Sequence, residues 1–183
     1  MPSYDFEDRV AIVTGGSSGI GRGIAVRLAK AGATIVIADL QREPNQGAHF
    51  QTNVTTPTDE LVADRFDVQS SYVDVDTSDS DDVDALMERT VDSYGGIDIL
   101  VNNAGILVPG TSQEVSTEEY EQMIAVNLNG YFHTAKSAVP YLRRAEQGRI
   151  VNVSSVNAYY GGGGAGYAAS KAGIINMTRD FAV

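Results

Sequence analysis

Twelve consecutive residues, 10–21, decide the fold: Val-Ala-Ile-Val-Thr-Gly-Gly-Ser-Ser-Gly-Ile-Gly. The first five, 10–14, are apolar or β-branched without polar alternation, which predicts a strand buried on both faces of a parallel sheet. The glycine-rich part, 15–21, predicts a tight turn. The segment therefore indicates a strand and a turn that leads directly into a helix.

The residues that follow complete a strand–helix–strand unit. The helix is predicted from apolar side chains at helical spacing, namely Ile20, Ile24 and Leu28. Ala31-Gly32 is expected to end this helix, and the apolar run 34–38 predicts the second strand. Crossovers of this kind are right-handed and join parallel strands.

The rest of the chain continues the alternation of strands and helices. After a polar insertion at 41–58, helices are predicted at 59–66, between Asp79 and Gly95, at 117–144 and from about 167 to 183. The remaining strands are predicted at 71–75, 97–102 and 149–153. This order predicts one α/β domain over residues 1–183, a doubly wound parallel sheet of the Rossmann type with helices on both faces.

The glycine turn also predicts a nucleotide site. Glycines let the backbone approach a pyrophosphate closely, and the N-terminus of the following helix attracts its negative charge. The residues assigned to this site are Gly15, Ser17, Ser18, Gly19, Ile20 and Gly21. Their spacing differs from the G-x-G-x-x-G pattern, so a tight turn without a ligand stays the alternative.

Asp39 indicates which dinucleotide the site takes. It lies eighteen residues beyond Gly21 at the end of the second strand, where a carboxylate can accept hydrogen bonds from both adenosine ribose hydroxyls. Its charge repels the 2′-phosphate of NADP, and no basic residue precedes Gly19 in the turn. NAD is therefore the predicted cofactor, with an acidic loop residue that binds nothing as the alternative.

Four further motifs follow the glycine turn in sequence order. They are Asn102-Asn-Ala-Gly105, Asn127 within Val-Asn-Leu-Asn-Gly130, Ser154-Ser155 and Tyr167-Ala-Ala-Ser-Lys171. Together with residues 14–21 they resemble the short-chain dehydrogenase/reductase family over essentially the whole chain. The resemblance implies an oxidoreductase that transfers a hydride between NAD(H) and a secondary alcohol or ketone, a small-molecule substrate.

The resemblance also implies further cofactor contacts. Asn103, Ala104 and Gly105 would line the cofactor after the fourth strand. An Asp at the end of the third strand would face the adenine, and here Asp76 with Thr77 is predicted for that place, with Asp74 as the second candidate.

Tyr167 and Lys171 lie at i and i+4 near the start of the last predicted helix and so share a face. A phenol titrates near pH 10, and a neighbouring ammonium stabilises its anion. By the resemblance, Tyr167 exchanges a proton with the substrate oxygen, whereas Lys171 supports it and holds the nicotinamide ribose. Both residues therefore count among the predicted cofactor contacts.

A serine and an asparagine complete the implied catalytic set. The serine hydrogen-bonds the substrate oxygen, and Asn127 holds a water in a proton relay. Ser155 is predicted because strand register places it at the strand tip. It precedes Tyr167 by twelve residues, one fewer than the family pattern, whereas Ser154 has the expected count. We place the shortening in the glycine loop 161–164.

The composition excludes several other classes of protein. Without cysteine and with two histidines, neither a thiolate site nor a histidine-rich metal site is expected. The net charge of −11 disfavours nucleic acid and anionic membranes as partners. No apolar run suits a membrane span, and the polar N-terminus is unlike a secretory signal. We therefore expect a cytoplasmic protein.

Three questions stay open from the sequence. Sugars, hydroxysteroids, cyclic alcohols and 3-oxoacyl thioesters all fit as substrates, although Asp39 argues mildly against the last. The resemblance implies homo-oligomers, commonly tetramers, formed through the two long helices. It also implies further strands beyond residue 183, so the chain is either an excerpt of an enzyme or a truncated nucleotide-binding fragment without catalytic activity.

The acidic composition leads to a first prediction. Fifteen of the 24 acidic residues are Asp and only three residues are Lys, which is typical of halophilic proteins, in which salt screens the repulsion among surface acids. We expect the melting temperature to rise as KCl is raised from millimolar to molar concentration in a calorimetric series. A melting temperature that stays constant or falls would indicate an ordinary acidic protein.

Overall fold

The computed structural model describes residues 4–46 and 54–182. Five parallel strands form one sheet in the order β3-β2-β1-β4-β5. They are β1 Val10–Thr14, β2 Thr34–Asp39, β3 Ser70–Asp74, β4 Ile99–Asn102 and β5 Arg149–Asn152. The helices are α1 Gly19–Ala29, α2 Thr58–Phe66, α3 Ser80–Tyr94, α4 Thr117–Ile124, α5 Gly130–Leu142, α6 Asn157–Tyr160 and α7 Gly164–Phe181. The predicted doubly wound Rossmann fold is confirmed.

The central strand β1 divides the core into two layers. All five of its residues are buried, and successive side chains point to opposite faces of the sheet. Ile12 packs in one layer with Leu86 of α3, and Val13 packs in the other with Ala25 of α1. Each such side chain contributes about 1.5–3 kcal/mol when it leaves water, so the apolar run of β1 anchors both layers.

Helix α3 forms as its sequence predicts. The Asp79 carboxylate accepts a hydrogen bond from the backbone N–H of Asp81 at 2.8 Å and caps the first turn. At the other end Gly95 takes a left-handed conformation with φ 84°, which ends the helix. The buried positions include the predicted Val83, Leu86 and Thr90.

Helix α1 differs from its prediction at Ile20, whereas Ile24 and Leu28 are partly buried against the core as predicted. Ile20 is 69% exposed, whereas the buried residues are Gly21, Ala25 and Ala29. Small side chains on this face let α1 approach the sheet closely. The prediction that Ile20 belongs to the packed stripe was therefore wrong, and its side chain instead lines the groove described below.

The predicted helix 117–144 is interrupted. A π-helical turn, Ala125–Asn129, separates α4 from α5, and α5 ends at Leu142. Apolar spacing cannot locate such a turn, because the turn adds a residue without changing the character of the buried face. Here the amide of the buried Asn127 hydrogen-bonds the main chain of Ile106 outside the helix.

Other boundaries also differ from the sequence-based expectation. Strand β4 begins two residues later than predicted, the short helix α6 was not predicted, and α7 begins at Gly164 rather than near Tyr167. Glycines discourage a helix assignment, but Gly166 here faces Met123 and Tyr120, where a Cβ would meet Met123 Cε at 2.9 Å. Residues 47–53 of the predicted insertion and residue 183 lie outside the described residues.

Two surface features complete the description. Strand β5 pairs with β4 alone within the described residues, so it forms an edge of the sheet, and Val151 is 49% exposed there. In the described part of the chain, no helix combines the length and the apolar character that crossing a bilayer requires.

Candidate functional site

An open groove of about 620 Å³ runs along the carboxyl ends of the central strands. It collects most of the predicted cofactor residues, which are Gly15, Ser18, Gly19, Ile20, Asp39, Asp76, Thr77, Asn103, Ala104 and Gly105. Asp74, the second candidate for the adenine contact, is exposed at the end of β3 and is not among the lining residues. Ligands of open α/β sheets bind at this edge, where the strand order reverses around β1.

The glycine turn brings the backbone of β1 close to the loop after β4. Gly15 has φ +63°, and a Cβ there would lie 2.9 Å from Ala104 Cα. A Cβ on Gly21 would collide with the Gly15 carbonyl. Neither position can carry a side chain without moving the main chain. The turn therefore leaves room for a ligand at the N-terminus of α1.

Side chains hold this close approach in place. The Thr14 hydroxyl accepts hydrogen bonds from the backbone N–H groups of Asn103 and Ala104, each at 3.0 Å. The Asn103 amide in turn donates to the carbonyls of Thr14 at 3.0 Å and Gly15 at 3.1 Å. Two predicted binding segments are thereby tied together, and Thr14 is a residue that the sequence analysis did not single out.

The Asp39 carboxylate lies at the turn between β2 and the following loop. It accepts hydrogen bonds from the backbone N–H of Ser17 at 3.0 Å and of Leu40 at 2.9 Å. Burial raises the pKa of Asp39 above its ordinary value, and these N–H groups act in the opposite direction. The buried Ser17 hydroxyl lies beside this carboxylate and also lowers the pKa of Asp39, although in the described ranges it makes no hydrogen bond of good geometry.

Asn127 is fully buried in the π-helical turn. Its Oδ1 accepts from the Ile106 N–H at 2.8 Å, and its Nδ2 donates to the Ile106 carbonyl at 2.9 Å and the Ser170 hydroxyl at 3.4 Å. The side chain therefore links the π turn to the loop after β4 and to α7. Such a fully paired polar group fixes the relative position of three segments.

Lys171 is 4% exposed, which is unusual for a lysine. Its Nζ donates to the Val153 carbonyl at 3.0 Å and to the Tyr131 hydroxyl at 3.2 Å. Burial lowers the pKa of Lys171 to about 8, so the group is still mainly an ammonium at pH 7. The nitrogen lies 5.8 Å from the centre of the half-buried Tyr167 ring, so the predicted pair does meet.

The two candidate serines have different partners. The Ser154 hydroxyl donates to the Lys171 carbonyl at 2.7 Å, which commits its only proton to the main chain of α7. The Ser155 hydroxyl accepts from the Asn157 N–H at 3.2 Å, which leaves its proton available. Of the two, Ser155 can therefore donate to another molecule while it keeps its contact with the protein.

Tyr131 and Ser170 are the further polar residues of this cluster that sequence reasoning missed. Both are buried, at 2% and 0% exposure, and each contacts a predicted catalytic side chain. The signal for Tyr131 was its position four residues after Asn127, one helical turn along the same helix face. Without the fold, an aromatic residue at that spacing is ordinary core material.

Comparison with known proteins shows the family to which the chain belongs. A family model described as short chain dehydrogenase matches residues 9–183. A 3-oxoacyl-[acyl-carrier-protein] reductase of Thermotoga maritima is 37% identical over 96% of this chain and 68% of its own length. Levodione reductase of Leifsonia aquatica is 34% identical over 100% of this chain and 66% of its own length.

A solved structure has the same fold. A crystal structure described as a short-chain alcohol dehydrogenase of Sinorhizobium meliloti matches with a TM-score of 0.84 and 30% identity, covering 98% of this chain and 67% of the other. The chain thus spans about two thirds of the length of these relatives.

The glycine turn gives a second prediction. Gly21→Ala should lower the free energy of unfolding by about 1–3 kcal/mol, because the new methyl group collides with the Gly15 carbonyl. Gly23→Ala is the matched control on the same helix, where nothing lies within 4 Å of the added Cβ, and it should raise stability by about 0.5–1 kcal/mol. Urea denaturation measures both, and equal effects would contradict the close approach.

Proposed function

The chain belongs to the short-chain dehydrogenase/reductase family, and we propose that it is an NAD(H)-dependent oxidoreductase acting on a secondary alcohol or ketone. The carrying observation is that the groove meets the buried polar cluster at Gly105. This residue lines the groove, and a Cβ on it would lie 3.1 Å from Asn127 Oδ1 and 3.5 Å from Lys171 Nζ. Residues suited to a nucleotide thus adjoin residues that can hold and move a proton.

The residues present fit a dinucleotide, because the Gly15 and Gly21 cradle has no room for a side chain and, among the described residues, the buried Ser17 hydroxyl beside Asp39 makes no hydrogen bond of good geometry. The proposed contacts are Gly15 to Gly21 for the pyrophosphate, Asp39 for the adenosine ribose, Asp76 and Thr77 for the adenine, Asn103 to Gly105 along the groove, and Tyr167 and Lys171 for the second ribose. When bound, the nicotinamide supplies or accepts the hydride.

Two charges near the adenosine end support NAD over NADP. The Asp39 carboxylate lines the groove and would repel a 2′-phosphate. Arg42, three residues further on, is a cation that could have attracted one. Its Nη2 is held by Asp59 at 2.7 Å and by Glu60 at 3.0 Å, so its charge is already paired.

The residues beyond the groove carry the proton chemistry of the proposal. Tyr167 takes the proton from the substrate hydroxyl in oxidation and returns it to the carbonyl oxygen in reduction. The Lys171 ammonium stabilises the phenolate form of Tyr167 from the same helix. Ser155 donates its available proton to the substrate oxygen. Asn127 would hold a water of the proton relay from the π turn, which its side chain ties to the loop after β4.

Cofactor preference is tested by fluorescence titration with NADH and with NADPH. We expect NADH to bind at least about tenfold more tightly, and Asp39→Asn to narrow that ratio, because it removes the charge while it keeps the shape. Asp64→Asn, on the exposed side of α2, is the control for loss of one negative charge. Tighter binding of NADPH by the unmodified protein would overturn the NAD assignment.

Turnover is tested with a panel of one sugar, one hydroxysteroid, one cyclic alcohol and one 3-hydroxyacyl thioester. On any substrate that reduces NAD, Tyr167→Phe should lower kcat by about 10²-fold or more, because the phenol no longer exchanges a proton. Tyr160→Phe, at 90% exposure, is the control. Ser155→Ala should lower kcat more than Ser154→Ala; the reverse order would assign the role to Ser154.

A further inference from the structure

Tyr131 lies on α5, one turn after Asn127, and is buried against the end of β5. From its contacts we propose that Tyr131 is a positioning residue, which holds the Lys171 ammonium on the Val153 carbonyl and leaves one N–H of that ammonium facing the groove. Its importance for turnover rests on the role proposed above for Lys171. The effect of Tyr131 on the pKa of Lys171 is independent of that role and can be measured without cofactor or substrate.

Three polar groups form a closed triangle at this point. The Tyr131 hydroxyl donates to the Val153 carbonyl at 3.1 Å and accepts from Lys171 Nζ at 3.2 Å. Lys171 Nζ donates to the same carbonyl at 3.0 Å. The Tyr131 ring adds a cation–π contact, with its centre 5.0 Å from the nitrogen. The ammonium is thus fixed by one hydroxyl, one carbonyl and one aromatic face.

The donor inventory of the ammonium shows what this arrangement achieves. An ammonium has three N–H donors, of which two are directed to Tyr131 and Val153. The third N–H is left for the side where Gly105 lines the groove. A Cβ on that glycine would lie 3.5 Å from Lys171 Nζ. Without the Tyr131 hydroxyl, a second N–H would be unpaired in a buried place.

The groups around the ammonium keep the Tyr131 hydroxyl protonated. Among the described residues, the titratable side chains that face the ammonium are two phenols, Tyr131 from α5 and Tyr167 from α7. The segment just after β5 contributes the Val153 carbonyl, and the π turn contributes the neutral Asn127 amide. Burial, and next the charge of a nearby Tyr167 phenolate, raise the pKa of Tyr131 far above its ordinary value. Tyr131 therefore stays protonated wherever Lys171 titrates, and can donate and accept at once.

The chain is well suited to a direct measurement, because it has only three lysines, Lys30, Lys136 and Lys171. Protein labelled with ¹³C at lysine Cε should give three resonances, assigned by Lys30→Arg and Lys136→Arg. The exposed Lys30 and Lys136 serve as internal references in the pH titration. In the unmodified protein, the Lys171 resonance should titrate with a midpoint near 8, which reports its pKa.

Tyr131→Phe removes the hydroxyl and keeps the ring. It should lower the Lys171 midpoint by about 0.5–1 pH unit, since the ammonium loses one hydrogen bond while neutral lysine loses little. Tyr131→Met, which fills the volume without ring or hydroxyl, should lower it further. Tyr141→Phe, on the same helix but packed partly buried against the sheet core, is the matched control and should leave the Lys171 midpoint unchanged.

A double-mutant cycle separates positioning from packing. As a single substitution, Tyr131→Phe should weaken NADH binding several-fold. When it is added to Lys171→Met, it should weaken NADH binding no further. The alkaline limb of the pH profile of turnover should also move to lower pH in Tyr131→Phe, by as much as the Lys171 midpoint moves.

Three outcomes would each overturn the proposal. They are an unchanged Lys171 midpoint in Tyr131→Phe, an equal shift of that midpoint in Tyr141→Phe, and an undiminished effect of Tyr131→Phe on NADH binding when Lys171→Met is already present. Failure of the unmodified protein to bind NADH would count against the proposed function alone, because the lysine titration is made without cofactor.

Discussion

The structure depends first on the contact between the end of β1 and the loop that follows β4. Neighbouring parallel strands hydrogen-bond along their length, but this ladder does not hold the loops beyond their ends. Here one hydroxyl, that of Thr14, accepts two backbone N–H groups, and the Asn103 amide returns two bonds to the turn. Since Gly15 and Gly21 carry no side chain, the two segments approach closely enough to form one wall of the groove.

A second constraint acts on the other side of the groove, where a cation is buried. Removing an ammonium from water is costly unless it finds partners, and no carboxylate is among the partners of Lys171 in the described residues. The protein compensates with a carbonyl, a hydroxyl and two aromatic rings. Burial nevertheless lowers the pKa of Lys171 to about 8, so its charge responds to pH close to the physiological range.

The sequence predicted the layers and most of the candidate site, for reasons that are local. Strands such as β1 are continuous apolar runs, and α3 carries both its cap at Asp79 and its stop at Gly95 within a short stretch. The groove residues were found because they cluster in short motifs after strands. Where the prediction failed, the cause was contact across the fold: Ile20 turns to the groove because small residues face the sheet, and Gly166 is helical because α4 packs on it.

Sequence alone therefore determined the α/β class, the parallel sheet implied by strand–helix alternation, and the residue types that a nucleotide and a proton transfer require, because these depend on neighbours along the chain. Tertiary structure alone decided the π turn at Asn127, the different partners of Ser154 and Ser155, and the place of Tyr131 beside Lys171. Apart from the local contact of Ser155 with Asn157, these contacts join residues that are 17 to 40 positions apart. Periodicity and motif spacing do not specify these contacts, since packing of separate elements sets the distances.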